Sequence, residues 1–160
     1  MIASRCVSRI KTSNYYYKLS SSDVINDRLN NISNKNDLFI VDLSHCGLHL
    51  LPNEIGKQSH IIKHLILDGN ILDEHFLKNH YFPNLESLSL NSNNIKNVGV
   101  LLQILYRQAP NIRFLSLIDN PGWPHPIKHS KNMVLYRKYC KMTANFFPKL
   151  LFLDTHKICK

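Results

Sequence analysis

The chain has 160 residues, the length of one domain, and 44% hydrophobic with 19% charged residues, the balance of a globular protein. No apolar run approaches the ~18–20 residues that span a bilayer, and four cysteines (Cys6, Cys46, Cys140, Cys159) without CxxC spacing make neither a disulfide framework nor a zinc site, so reduced thiols and an intracellular setting are expected. The net charge of +9 divides into +3 over residues 1–37, −1 over 38–120 and +7 over 121–160, which excludes a uniform polyanion-binding surface and leaves a basic C-terminal patch.

Residues 1–37 form an N-terminal arm rich in Ser and Asn, with consecutive Tyr15 to Tyr17 and no acid before Asp23. The arm reads as disordered or as a partial cap, with Val24 to Leu29 able to cover Leu38 and Val41. Arg5, Arg9, Lys11 and Lys18 in an acid-free start also match the composition of a mitochondrial presequence, which stays as an alternative.

Residues 38–120 carry four aligned segments: Leu38-x-x-Val41-x-Leu43-x-x-Cys46-x-Leu48, Ile62-x-x-Leu65-x-Leu67-x-x-Asn70-x-Leu72, Leu85-x-x-Leu88-x-Leu90-x-x-Asn93-x-Ile95 and Ile112-x-x-Leu115-x-Leu117-x-x-Asn120. Their first positions lie 24, 23 and 27 residues apart, within the 20–29 of the leucine-rich repeat whose template they match. Gly122 breaks the template at the last apolar position of the fourth unit. In a short strand the fourth and sixth side chains point to the same side, so they form the core with the first. Cys46, Asn70, Asn93 and Asn120 follow at the bend, where an amide bonds neighbouring backbone and stacks as a ladder; Cys46 supplies a weaker donor in the same slot.

The connections between strands are expected to cover the other side of the sheet. The first, Leu51-Pro52-x-x-Ile55, reads as extended; the second, Asp73 to Pro83, as one or two helical turns around Phe76 and Leu77. The third, Val98 to Gln108, places Val98, Leu101, Leu102, Leu105 and Tyr106 at helical spacing before Pro110. A solenoid exposes its core at each end, so residues 121–160 should form an atypical capping unit. There Asn120-Pro121 precedes Trp123, a helix from about Ser130 to Asn145 sets Met133, Tyr136, Arg137 and Cys140 on one face, and Phe147-Pro148-x-Leu150-x-x-Leu153-Asp154 returns as a last strand. Trp123, Tyr136, Arg137, Leu150, Leu153 and Asp154 are the cap residues, with Phe146 or Phe147 helping to seal the core.

This ending resembles the C-terminal cap of small leucine-rich-repeat proteins, a layout similar to the splicing factor U2 A′, the acidic nuclear phosphoproteins and the phosphatase-regulator class. Residues 38 to 159 resemble the leucine-rich melanocyte differentiation-associated protein family, through Leu115-Ser-Leu-x-x-Asn120, the long insert before Tyr136-Arg137, and Phe147-Pro-x-Leu-x-Phe-Leu-Asp154. The resemblance implies an intracellular, non-enzymatic adaptor with a small GTPase or vesicle-associated protein as partner.

The repeat register also names a surface. Third positions give Ile40, His64, Ser87, Phe114 and Phe152; fifth positions Asp42, Ile66, Ser89, Ser116 and Asp154; seventh positions Ser44, Asp68, Asn91, Ile118 and His156. Within this concave face, Ile40, Asp42, His64, Ile66, Asp68, Asn91, Phe114 and Ile118 are the candidate partner-binding residues. Ile66, Phe114, Ile118 and Phe152 with Asp42, Asp68 and Asp119 make an apolar and acidic stripe suited to a partner with an apolar anchor and a basic rim. No metal site is expected: His60 and His64 sit where a strand begins, His45 and His49 flank a bend, and no third ligand joins either pair. No cofactor motif (GxGxxG, P-loop) and no catalytic set (GxSxG, HExxH) occurs, so an enzyme is not expected. The expected architecture is therefore α/β, a short leucine-rich-repeat solenoid with a curved parallel sheet on its concave side. Its expected role is cytoplasmic protein–protein scaffolding, with a nuclear setting as alternative. The competing function is a ribonucleoprotein component with RNA near Lys128, Lys131, Lys138, Lys141, Lys149 and Lys157, although a single Arg137 among these lysines lacks the guanidinium forks RNA readers favour.

Overall fold

The computed structural model describes residues 8–12, 15–19, 39–125 and 133–158. Its strands are β1 (Ser8–Thr12), β2 (Tyr15–Leu19), β3 (Phe39–Asp42), β4 (Ile62–Ile66), β5 (Ser87–Ser89), β6 (Phe114–Ser116), β7 (Phe152–Leu153) and β8 (His156–Lys157). The helices among the described residues are α1 (Asn53–Lys57), α2 (Val98–Gln108) and α3 (Met133–Phe146). The fold is mixed α/β around one sheet in the order β2-β1-β3-β4-β5-β6-β7-β8. From β3 to β7 each strand pairs parallel to the next, and antiparallel pairs finish both ends. β1 and β2 fall in the arm read as disordered or a partial cap; Leu38 and Val24 to Leu29 lie outside the described residues.

From Ile40 onward the register follows the sequence alignment, after a shift between Phe39 and Ile40: Val41, Leu65, Leu88, Leu115 and Leu153 stand side by side along the sheet. All five are buried, as are Leu43, Leu67, Leu90 and Leu117 two residues further on and Ile62, Leu85, Ile112 and Leu150 at the first positions. Period-two alternation puts the fourth and sixth positions on one face, the first positions join them from the strand entry, and the connections close over all three.

The connections differ in detail from expectation. Leu51 to Ile55 is not extended: α1 forms here, started by Pro52 at φ −57° with its carbonyl taking the Ile55 amide, so that Ile55 swings into the core. Conversely Asp73 to Pro83 contains no helix. Asp73 bonds the amide of His75, an Asx turn that competes with helix formation, and successive turns bury Phe76, Leu77 and Phe82. α2 forms as its periodicity requires, capped by the Asn97 side chain on the Val100 amide, and buries Val98, Leu101, Leu102 and Leu105. Tyr106 is a correction: it is 54% exposed, packing edge-on against Phe146 rather than down onto the sheet.

Each strand ends in a bend whose carbonyls are buried, and one asparagine per bend satisfies them. Asn70 Nδ2 donates to the Leu43 and Leu67 carbonyls while its Oδ1 accepts from Cys46 and Leu48. Asn93 donates to Leu67 and Leu90 and accepts from Leu72; Asn120 donates to Leu90 and Leu117 and accepts from Ile95. Every amide thus ties its own repeat to the preceding one. Cys46 has no preceding parallel repeat to reach, and the thiol expected there is instead disulfide-bonded, with its partner outside the described residues; Cys140 is free. The residue before each ladder position is left-handed: His45 at φ 56°, Gly69 at 66°, Ser92 at 53° and Asp119 at 64°. Gly122 departs from the template because its amide binds the Ile95 carbonyl and a Cβ there would collide with the Lys96 carbonyl.

At the far end Asp154 replaces the ladder. Its buried carboxylate accepts from the Leu117 amide at 2.8 Å, Trp123 Nε1 at 2.8 Å and the Tyr136 hydroxyl at 3.0 Å. Trp123 meets Tyr136 and Tyr139 edge-on, and Phe147 completes the seal. Asp154 was also placed in the fifth-position row; its φ of 54° turns the chain into the β7–β8 hairpin, and its side chain goes into the core. His156 is likewise not a seventh-position residue, because β8 runs antiparallel to β7. Arg137, read as a cap residue, is exposed on α3, while Tyr136 and Thr143 are the residues that helix buries.

Two predictions follow from this packing. Leu90→Asp places an unpaired charge among fully buried side chains and should cost several kcal/mol, about the whole stability of a domain; loss of the cooperative melt is the expected result, and an unchanged melt contradicts the register. Burial and the Asp154 carboxylate hold the Tyr136 phenol far above its ordinary 10.0. The native state then keeps a proton that the unfolded chain loses, so the stability it contributes is present below pH ~10 and declines as pH rises further. Melting temperatures measured across that range should fall more steeply for the wild type than for Tyr136→Phe, and equal slopes contradict the buried phenol.

Candidate functional site

The candidate surface is the sheet face turned away from the core. Pairing sets Ile40, His64, Ser87, Phe114 and Phe152 in one row across β3 to β7, and Asp42, Ile66, Ser89 and Ser116 in the next. Ile66, Phe114 and Ile118 are partly exposed and Phe152 is 43% exposed, so apolar surface here is left over after the core is filled. Phe114 and Phe152 are direct cross-strand neighbours. Ser116 is buried despite its place in the row.

The polar members do more than face outward. Asp68 accepts from Ser89 Oγ, from the Asn91 amide and from Asn91 Nδ2; Asn91 Oδ1 in turn accepts from Ser116 Oγ and the Ile118 amide. Asp42 accepts from both the amide and the hydroxyl of Ser44, and Asp119 from Ser92 Oγ. These carboxylates are consumed by the fold's own donors. They offer a partner negative charge rather than free hydrogen-bond geometry. The Ser-x-Asn spacing at 89–91 and Asp-x-Ser at 42–44 are the sequence signals of this second ladder. Burial lowers His64 below the ordinary histidine value, with Glu86 opposing and Lys63 adding to the shift.

The other candidate residues disperse. His60 is exposed in a turn, His45 and His49 are exposed at the bend after β3, and no three His, Cys, Asp or Glu come together among the described residues. Lys138, Lys141, Lys149 and Lys157 are exposed, with Lys149 Nζ on Asn111 Oδ1; Lys128 and Lys131 lie outside the described residues. No helix among the described residues is long and apolar enough to cross a membrane. Sequence reasoning missed one feature entirely. Between α3 and the β7–β8 hairpin runs a groove of about 1030 Å³, lined by Met133, Tyr136, Arg137, Cys140, Ala144 and Ile158 among others. Burial is the main cause that raises the Cys140 thiol at its floor.

No family model matches the chain. The chain is 31% identical over 100 residues to the leucine-rich melanocyte differentiation-associated protein of Homo sapiens, an alignment covering 62% of this chain and 50% of that protein. The chain thus spans about half the length of this relative, and the similarity supports a distant relationship.

Proposed function

We propose that the chain is a non-enzymatic leucine-rich-repeat module, a short solenoid of four repeats over 38–120 capped by 121–160, that holds a protein partner on the sheet face described above. The observation that carries this reading is the group of exposed or partly exposed Ile66, Phe114, Ile118 and Phe152 on the face the core does not use. Apolar side chains in that setting act as anchors for a complementary partner, with Asp42, Asp68 and Asp119 setting a negative rim for basic residues. Distant similarity to the leucine-rich melanocyte differentiation-associated protein supports an interaction role in general. An adaptor in organelle or vesicle differentiation, with a small GTPase or vesicle-associated protein as partner, is the specific form to test first.

Affinity capture from cell lysate, comparing wild type with Ile66→Arg/Phe114→Arg, with and without nuclease, tests the reading. Both positions are partly exposed, so the variant should melt like the wild type and lose its protein partners in either condition. Partners lost only to nuclease, and retained by the variant, would contradict it and move the function to the lysine-rich end.

A further inference from the structure

The groove between α3 and the β7–β8 hairpin lies apart from the sheet face described above, over the part of the core that Tyr136 seals. Its floor is apolar: Met133, Ala144 and Ile158, with the edge of Tyr136 and the half-buried Cys140 thiol. Its banks are cationic. Arg137 and Lys141 lie one helical turn apart on α3, and Lys157 stands on β8 across from them; all three are exposed. Among the described residues none of the three is in a salt bridge. Asp154 is the sole acid between residues 121 and 160 against eight bases. Its carboxylate is buried and committed to Leu117, Trp123 and Tyr136.

We infer that this groove is a second docking site, taking an extended acidic peptide segment whose apolar side chain seats on the floor between the Arg137/Lys141 and Lys157 banks. Charge complementarity selects the acidic segment, and the recessed floor selects an apolar anchor within it. β8 ends the sheet, and no strand follows it among the described residues, so an extended segment lying in the groove runs beside an available sheet edge. The tyrosine nearest the floor is not a stacking platform: Tyr136 is buried with Trp123, His125 and His156 edge-on around it, and Tyr139 packs on Trp123.

The test uses the full chain and a short fluorescein-labelled peptide in which glutamates flank one leucine and one phenylalanine. Saturable binding is expected, with bound peptide slowing alkylation of Cys140 as mapped by mass spectrometry. Arg137→Glu/Lys141→Glu should weaken binding by about tenfold or more without moving the melt. Lys157→Glu should do the same from the opposite bank, without touching the helix. Replacing the leucine and phenylalanine of the probe by alanine should give a comparable loss, while Ile66→Arg/Phe114→Arg should leave probe binding unchanged. Binding that ignores these groove substitutions, or that persists without the anchor and leaves Cys140 unprotected, overturns the proposal. So does binding of phosphatidylserine vesicles or single-stranded RNA through the same lysines when the peptide does not bind.

Discussion

A strand that must bend sharply while still inside the core leaves carbonyl oxygens with no water and no strand partner, and a buried unpaired acceptor costs about 1–3 kcal/mol. The asparagine side chain meets this constraint because its two N–H donors and its carbonyl reach adjacent repeats at once. Asn70, Asn93 and Asn120 each hold carbonyls of two successive strands and an amide of the preceding bend. That bonding fixes the offset between neighbouring units, hence the register, hence which side chains enter the core. The left-handed residue preceding each asparagine turns the backbone into that geometry; at Gly69 a Cβ would also strike His45. The face with Ile66 and Phe114 is the complement of the face the ladder forces inward.

A ladder that couples each unit to its neighbour needs a different solution where the units stop. Asp154 provides it: one carboxylate with three donors replaces the amide and closes the row on Leu117, while Trp123 and Tyr136 shield it. A buried carboxylate is tolerated only with such donors. The exposed Arg137 and Lys141 on α3 and Lys157 on β8 give the groove beside this cap its electrostatic sign.

Much of this was legible in the sequence because the signals are periodic. Val41, Leu65, Leu88 and Leu115 recur in register with asparagines downstream, and α2 shows helical spacing between Asn97 and Pro110. The misses fall where geometry depends on a single local competition. Pro52 turns an apparently extended stretch into α1, the Asx turn at Asp73 suppresses a helix, and Arg137 lies beside Tyr136 on α3 yet one faces water and the other the core. Tyr106 looked buried by spacing, but a ring at the edge of the apolar stripe is held outside by Phe146. Asp68 and Asn91 read as free surface because hydrogen bonds between residues 21 to 27 apart become visible only once the strands are side by side. The groove was illegible for the same reason: its two banks belong to α3 and to β8, a hairpin strand beyond the last strand read from the sequence.

The central claim is that the asparagine amides couple each unit to its neighbour, and native-state hydrogen exchange on Asn93→Ala tests it most directly. Removal of this amide should strip protection from the Leu72 amide it binds and loosen the β4–β5 pairing, by roughly 1–3 kcal/mol for each buried group left unpaired. The β5–β6 pairing, tied by Asn120, and the Leu117 amide, held by Asp154, should lose less. Protection at Leu72 and across the β4–β5 pairing equal to the wild type's would show that the strands hold their register without the ladder, and would contradict the account.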